Sequence, residues 1–451
     1  MEVISQAPQP TIKCYRSIIN GKASNYCYME FSPNSISESG RNLQSYNFER
    51  SLENFGGSFS FTVKEDTEKL KEPFMDQVQP LDVIVISENG SDLKRDFIGV
   101  VTTISIGAIA GTLNKVVTIS GKSIEWLFNY LNINADIKVA IFDNSTASKV
   151  FKTDFEKENG KTGYSIKKIV STSIDYFKEQ TAKFQEISNY LIGDLIDLWF
   201  RDNYIFAPED TFPYPISSNL FDGDKITVIE FIKKILPPPI YEIYSIIDAF
   251  NNLKLIFRKA PFDKPVSVYV INPTHLTDYT LTRSCEEVYT AFMTYIEGSE
   301  LSPDFYMNTA AAQGDKLRGY DFAKSNLDKV KQYGYQLLTC TFVGYNATPD
   351  AKTDEEKIKQ MNENLEKWFS NLDQMYSGDI TITNIVNDTK AKIGDWLTFA
   401  GALYYVISEK HSWNYGDNPM INYQVIRGGK YTDGNFEPIT KLSTVYKEFE
   451  Q

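Results

Sequence analysis

Cysteine and histidine are scarce in this chain of 451 residues. The four cysteines are Cys14, Cys27, Cys285 and Cys340, and no two of them stand in C-x-x-C spacing. So few and so widely separated thiols exclude a disulfide framework, and we expect them to be reduced and buried. The two histidines, His275 and His411, exclude a histidine-rich metal site and an H-E-x-x-H motif. We therefore expect no metal and no cofactor.

Positive charge is also in short supply. Lysine and arginine together number 46 against 59 for aspartate and glutamate, so the formal net charge is -13. A protein that holds nucleic acid through its phosphates needs the opposite sign, so DNA is expected to pass this chain without specific binding. The first ten residues, MEVISQAPQP, lack the basic and apolar regions of a signal peptide, and we expect assembly in a cytoplasm.

Only one stretch, residues 97–114, is free of charge over a length close to that of a membrane span. Threonine, serine and glycine interrupt it, among them Thr102 and Gly107. The richness in valine, isoleucine and threonine predicts a strand, a glycine-containing turn and a second strand instead. We expect no membrane span.

Aromatic side chains are abundant. They make up 14% of the chain, with 28 tyrosines and 29 phenylalanines, beside 42% apolar and 23% charged residues. Such side chains suit half-buried strands and partner surfaces, and the length predicts several cores. The expected fold class is a β-rich, multi-domain α+β protein, with tube-like β-barrels, a mixed helical insert domain and a C-terminal β-unit.

The pattern of apolar residues divides the chain into four predicted domains. Consecutive strands over 1–130 predict a tube-like β-barrel, in which Phe59 and Phe61 alternate with serines. Residues 131–250 predict a mainly helical insert, with helices at 185–201 and 227–235. A second β-rich, tube-like domain is expected over 251–375. It includes a helix at 353–372 that a Thr353–Glu356 capping box begins. A small C-terminal β-domain covers 376–451.

Several short motifs suggest chemistry, but a simpler interpretation is available for each. Gly121-Lys122-Ser123 resembles the end of a phosphate-binding loop, but valine at 116 replaces the required glycine. The segment 221–224 lacks the ligand spacing of an EF-hand and predicts a turn. Exposed tryptophans could bind glycans, but Trp368 and Trp199 lie on or beside apolar helix stripes and predict core positions.

Two groups of sequence motifs lie at opposite ends of the chain. Near the C-terminus, Tyr404–Gly416 contains a His-Ser-Trp turn, and Tyr423–Gly429 ends a strand in Arg-Gly-Gly. Near the N-terminus, a series of strands covers about residues 40–130. Together these motifs resemble the late-control D family of phage tail baseplate hub proteins, and the strand series is similar to that family's tube-like barrel. The matching positions, to which we assign structural roles and no catalytic role, are Gly57, Phe59, Phe61, Phe97, Gly99, Gly121, His411, Trp413, Tyr415, Gly416, Arg427 and Gly428.

The resemblance implies a structural baseplate hub in the tail of a phage or of a related injection machine. Such hubs are homotrimers whose subunits each contribute two tube-like barrels, so that a hexameric tail tube meets a trimeric spike. The second barrel would draw on strands at 266–343, with part of 376–430. Implied partners are the tail tube protein, the central spike protein and other baseplate proteins, with DNA or a tape-measure protein passing through the lumen. Any membrane-piercing module is expected to be a separate chain.

Two alternatives to a non-enzymatic hub stay open on the sequence. The first is a tail-associated cell-wall hydrolase that uses a carboxylate pair, or Cys27 or Cys285 with a histidine. The second is a receptor- or glycan-binding tail protein. The expected location is the virion tail baseplate, assembled in the host bacterial cytoplasm.

Overall fold

The computed structural model describes most of the β-rich parts of the chain and less of its middle. The described residues are 9–33, 41–66, 72–90, 94–108, 114–133, 164–165, 189–200, 205–206, 211–212, 226–248, 250–261, 265, 267–286, 288–296, 324–325, 327–342, 351–383, 390–432 and 435–438.

Strands dominate the described residues. The strands are β1 (Thr11–Ile19), β2 (Lys22–Phe31), β3 (Arg41–Ser51), β4 (Ser58–Asp66), β5 (Val83–Ser87), β6 (Phe97–Ala108), β7 (Asn114–Ser123), β8 (Asn132–Ile133), β9 (Tyr164–Ser165), β10 (Ile205–Phe206), β11 (Thr211–Phe212), β12 (Ile226–Thr227), β13 (Tyr241–Ile247), β14 (Leu253–Lys259), β15 (Val268–Val270), β16 (Leu276–Thr282), β17 (Ala291–Ile296), β18 (Lys324–Ser325), β19 (Leu337–Phe342), β20 (Tyr376–Thr383), β21 (Trp396–Phe399), β22 (Ala402–Asn414), β23 (Met420–Thr432) and β24 (Asn435–Pro438). The α-helices are α1 (Phe74–Gln77), α2 (Asn189–Phe200), α3 (Val228–Ile235), α4 (Leu327–Tyr333) and α5 (Ala351–Phe369), and the 3-10 helices cover Ile124–Tyr130, Pro273–His275 and Leu372–Gln374.

One 14-stranded sheet joins the two ends of the chain. Its main path is β16-β20-β23-β22-β3-β4-β7-β6-β5-β1-β2, with β15, β21 and β24 attached beside it. We call β1–β7 the first strand group, and β15, β16 and β20–β23 the second strand group. They meet where β22 pairs with β3, and this pairing is called the joint.

The two strand groups repeat one strand order. The first group reads β3-β4-β7-β6-β5-β1, and the second reads β16-β20-β23-β22-β21-β15. In each group an antiparallel hairpin, β6–β7 or β22–β23, supplies the third and fourth strands. The last pairing differs, since β1 runs antiparallel to β5 whereas β15 runs parallel to β21.

Each strand group encloses its own core. Every strand of the first group contributes buried apolar side chains to one cluster, because its residues alternate between an apolar and a polar side. At the open side of that group, the Leu43 N–H donates to the Ser32 carbonyl at 3.3 Å, which brings the start of β3 to the end of β2. The second group closes around Ile380, Tyr404 and Tyr423.

The insert covers the outer side of β5 and β6. Val83, Val85 and Val100 point away from the first core and pack in a cluster with α2, α3 and the 3-10 helix at Ile124–Tyr130. Two three-stranded sheets, β10-β14-β13 and β18-β17-β19, form no strand pairing with the large sheet among the described residues. Helix α3 also borders the other side of the large sheet at one place, because Ile229, Glu230 and Lys233 line a pocket with Glu49, Ser58 and Lys122.

The predicted strands and helices were correct in kind and differ in their ends. The last long helix begins at Ala351 and ends at Phe369, so Thr353 lies inside the helix rather than at its start. A capping box exists at Thr227, whose hydroxyl accepts from the Glu230 N–H while the Glu230 carboxylate accepts from the Thr227 N–H. The residues that follow Gly121-Lys122-Ser123 form the 3-10 helix Ile124–Tyr130.

The β-rich class is confirmed, whereas the four-domain division stays a prediction. The boundary expected at 375/376 falls between β16 and β20, which are paired strands of one group. The strands over 291–342 form the separate sheet β18-β17-β19 instead of joining that group. The segment 221–224, considered for calcium, lies outside the described residues.

Candidate functional site: a polar sheet face behind a buried joint

One side of the large sheet carries three rows of polar side chains that cross from one strand group to the other. We call these nineteen side chains the polar face. The first row is Asp278, Thr381, Asn422, Lys410, Glu49, Ser58 and Lys122. The second row is Thr383, Met420, Ser412, Asn47, Ser60, Ser120 and Thr103, and the third is Asn414, Ser45, Thr62, Thr118 and Ser105.

Most side chains of the polar face are short, and the charges of its nineteen residues cancel. It holds eleven serines and threonines, three asparagines and one methionine, and its two acids are matched by two lysines. None of the nineteen residues is buried. On the same side of the sheet, the row next to Asp278 and Thr381 adds one more acid, since Asp379 pairs with Thr280 and with Gln424. Most of the chain's net charge of -13 therefore lies elsewhere than on this face. A surface of this kind offers hydrogen bonds but little net field to a charged molecule.

The rows between the polar rows point to the other side and form the cores. At the joint, His411 pairs with Phe48, and Trp413 pairs with Tyr46. The His411 ring stacks on Phe48 with centroids 4.3 Å apart, and Phe48 stacks on Phe97 at 4.9 Å. These contacts place the C-terminal family motif inside the first core, next to residues predicted from the N-terminal motif.

A network of buried charged groups surrounds His411. Its Nδ1 lies 2.9 Å from Glu88 Oε1, which also accepts from the Tyr46 hydroxyl at 3.1 Å. The Lys390 ammonium lies 3.4 Å from Glu88 Oε2. On the other side, Glu409 Oε1 accepts from Arg50 Nη1 at 3.2 Å. Charges from both strand groups thus hold the joint together.

Burial and neighbouring charges shift the pKa values at the joint. Burial alone would lower the pKa of His411, but the Glu88 and Glu409 carboxylates outweigh it and raise that pKa to about 9. Burial would raise the pKa of Glu409, but its bond to His411 and the Arg50 charge lower it. His411 is therefore an imidazolium at neutral pH, which donates to Glu88 and lies between two carboxylates.

The motif glycines of the first strand group permit close packing around Phe59. A Cβ at Gly121 would lie 2.0 Å from the Val100 carbonyl oxygen and 2.7 Å from the Phe59 ring. A Cβ at Gly99 would lie 2.6 Å from the same ring. Phe59 in turn contacts Phe97 at 5.7 Å. Only glycine fits both positions without moving the backbone of β6 or β7.

Phe61 stacks on Phe59 with ring centroids 6.4 Å apart, and the remaining motif residues lie away from this cluster. Phe61 is buried in the first core. Gly57 lies just before β4, against the backbone of Glu49. Tyr415 and Gly416 form the turn between β22 and β23, where the Tyr415 N–H donates to the Gln44 carbonyl at 2.7 Å. The last two motif residues, Arg427 and Gly428, lie on β23.

Arg427 packs on α5 rather than at the joint. Its guanidinium lies 3.9 Å from the centroid of Trp368, and its Nη2 donates to the Lys367 carbonyl at 3.3 Å. Trp368 is buried, as its place on the apolar helix stripe predicted. Arg427 thus ties the final strand to the segment inserted between β16 and β20.

The described residues bring no predicted catalytic pair together. Cys27 and Cys285 are exposed, whereas Cys14 and Cys340 are buried. Described contacts of His411 are to carboxylates and Phe48, not to a thiol. Within the described ranges, histidine, cysteine and acidic side chains form no cluster of three suited to a metal ion. Residues 97–108 form a strand, and none of the described helices is long and apolar enough to cross a membrane.

Sequence reasoning missed most of the charged network. Glu88, Arg50, Glu409 and Lys390 were not selected, although each is largely buried. One signal was present, since Glu409 and His411 alternate with exposed positions in a strand whose other inward residues are apolar. A charged residue at an inward position predicts a buried partner of opposite sign.

Three solved structures show the kind of protein that this fold is similar to. The tail protein from Neisseria meningitidis MC58 is 10% identical, with 95% of this chain and 98% of that chain covered and a TM-score of 0.49. The prophage MuSo2 43 kDa tail protein from Shewanella oneidensis is 11% identical, with 93% and 97% covered and a TM-score of 0.45. The E. coli c3393 protein, a component of the type VI secretion system, is 8% identical, with 89% and 77% covered and a TM-score of 0.43.

No family model matches the chain, and no curated protein matches its sequence. The three structures named above are two tail proteins and a component of a type VI secretion system.

Proposed function

We propose that this chain is a structural baseplate hub of a phage tail or a related injection machine, and that its polar face lines the channel of a trimeric ring. The observation that carries the proposal is the continuity of that face across the joint. Three polar rows continue from β3 into β22 without a break in strand pairing. Two repeated strand groups in one chain therefore supply one wall.

The chemistry of the polar face suits a passage rather than a binding site. Eleven hydroxyl side chains wet the surface. At the row of Glu49, Ser58 and Lys122, the face borders a pocket that residues of α3 also line. Equal numbers of acids and lysines cancel the long-range field that would hold DNA by its phosphates. The sequence predicted a passage kept open by acidic repulsion, whereas this face favours passage through neutrality.

The partners proposed from the resemblance fit this geometry. A tail tube protein would stack on one end of the ring and a central spike protein on the other, with other baseplate proteins around them. DNA or a tape-measure protein would pass through without specific binding. The proposed location is the tail baseplate, after assembly in the host cytoplasm, and no catalytic role is assigned.

Native mass measurement and negative-stain imaging of the purified chain test this function. We expect three copies in a ring with a central opening. A chain that stays a monomer at micromolar concentration, even when mixed with its tube and spike proteins, would refute the hub. Turnover of purified cell wall, or saturable binding to envelope glycans, would instead support the two rival functions.

A further inference from the structure

The polar face ends in a free strand edge on each side. Among the described residues, β16 pairs with β20 alone, and residues 103–108 of β6 pair with β7 alone. The neighbouring strand β5 reaches only residues 97–100 of β6. A free edge exposes N–H and carbonyl groups that another strand can pair with. One chain thus carries two different free edges at opposite ends of one face.

The joint inside the chain shows what occupies such an edge. Strand β22 is divided as β6 is: residues 402–405 pair with β21, a bulge follows between Val406 and Ser408, and residues 408–414 pair with β3. In β6 the equivalent bulge lies between Val101 and Thr103. The half of β22 that forms the joint therefore corresponds to the half of β6 that is free.

The free strand at the other end corresponds to β3 in the same way. In the repeated order, β3 begins the first group and β16 begins the second. Each has a register shift next to its partner strand, between Leu43 and Ser45 in β3 and between Leu276 and Asp278 in β16. A second joint of the same kind would therefore pair β6 with β16, and within one chain these two strands lie at opposite ends of the polar face.

We propose that residues 103–108 of β6 pair with β16 of a second copy of this chain, so that the joint within each copy is repeated between copies. The inference rests on the proposed hub function. The contact is head-to-tail, because two different edges meet, and such contacts close into rings when the rotation allows. With three copies, three joints within chains would alternate with three between chains.

The strand register at the joint predicts which residues would pair between copies, when equivalent bulges of β22 and β6, and of β3 and β16, are aligned. His411, which pairs with Phe48 at the joint, corresponds in position to Ile106, and Phe48 corresponds to Leu281. We therefore expect Ile106 to pair with Leu281 of the next copy. In the same way, the paired residues Lys410 and Glu49 correspond to Ser105 and to Thr282 of the next copy. Ile106 is 46% exposed in the single chain, an unusual state for a residue on the core side of a strand. Pairing would cover it with a leucine side chain.

Charge at the two edges is complementary. Exposed acids, Asp278 and Asp379, lie on β16 and its neighbour β20. Of the exposed lysines on β7, Lys115 lies opposite Ala108 in the free part of β6, whereas Lys122 lies opposite Val100, where β5 also pairs. No described residue forms an ion pair with any of these four. An acidic edge that meets a lysine-bearing edge favours association in this order and disfavours two like edges.

Disulfide crosslinking tests the register directly. The variant carries Ser105→Cys and Thr282→Cys, with Cys27→Ser and Cys285→Ser to remove the exposed thiols. Opposed residues of antiparallel strands have Cα atoms about 4.5 to 5.5 Å apart, within disulfide range. We expect oxidation to link copies up to a covalent trimer, whereas the control pair Ser105→Cys with Thr277→Cys, out of register, should not link them.

A surface substitution separates this inference from the hub function. Ile106→Lys should abolish the trimer by placing a charge in the contact, whereas Tyr26→Lys, at a tyrosine that is 62% exposed on β2, should leave it intact. Trimers that persist in Ile106→Lys, or that fail to crosslink in register, would overturn the edge pairing and leave the hub standing. A wild-type chain that forms no trimer would overturn the hub function itself.

Discussion

His411 is expected to make the stability of the joint depend on pH. Its pKa is raised from 6.5 to about 9 in the folded chain, because Glu88 and Glu409 outweigh the effect of burial. A change of that size corresponds to about 3 kcal/mol of stability held by the protonated form. Since the folded pKa lies above the unfolded one, this stability is fully present below about pH 6.5. It falls as the pH rises and is lost above about pH 9.

The test compares urea unfolding of the wild type and of His411→Gln between pH 6.5 and 9.5. The free energy of unfolding of the wild type should fall by about 3 kcal/mol more than that of the variant over this interval. Other groups titrate in both proteins and cancel in the difference. His275→Gln, at the other histidine of the chain, serves as the matched control and should follow the wild type. Equal pH dependence in wild type and His411→Gln would refute a charged histidine at the joint.

Three further predictions concern packing, the polar face and the insert. Gly121→Ala should cost about 3 kcal/mol of unfolding free energy through its clash with β6, whereas Gly416→Ala, at a φ of 92° with open space around it, should cost about 1 kcal/mol. Ser60→Lys should make the ring bind DNA at low salt, with the slope of log affinity against log salt steeper by up to about 3, whereas Ser60→Asn should not. Arg258→Ala should cost about 3 to 5 kcal/mol because it removes the opposite charge from the buried Glu242 carboxylate, 2.9 Å from Arg258 Nε, and leaves it only the Tyr405 hydroxyl among these contacts; Arg258→Lys should cost less.

The sequence predicted the polar side of single strands, which is one part of the polar face. The alternation of Phe59 and Phe61 with Ser58 and Ser60 predicted a strand with one buried and one wetter side, and β4 has both. Local periodicity is sufficient here because side chains of a strand alternate whatever its neighbours are. The wetter side was therefore predictable strand by strand, but not its continuity across eight strands.

The joint could not be predicted, because its contacts are far apart in the sequence. Glu409 and Arg50 are separated by 359 positions, and His411 and Glu88 by 323. The family motif identified His411 as a structural residue without indicating what it contacts. Pairing of β3 with β22 brings these groups together, and strand pairing over such distances leaves no periodic signal.

The repeat of the strand order was hidden for a different reason. In the first group a short turn connects β3 to β4, whereas in the second β16 ends at Thr282 and β20 begins only at Tyr376. Equivalent positions also differ in chemistry, as with His411 in β22 and Ile106 in β6. Strand order and bulge positions preserve the repeat where residue identity does not.

That difference in chemistry is consistent with two joints that form at different stages. The joint within the chain buries Arg50, Glu409 and His411, and desolvating such groups is costly unless all partners are already in place. A single folding chain can meet this condition, since its partners are covalently linked. The proposed joint between copies has Ile106 and Leu281 at the equivalent inward positions instead, and burying this apolar pair needs no charged partner already in place. A ring assembled from separate copies would therefore place its charged joints inside each chain and its apolar joints between chains.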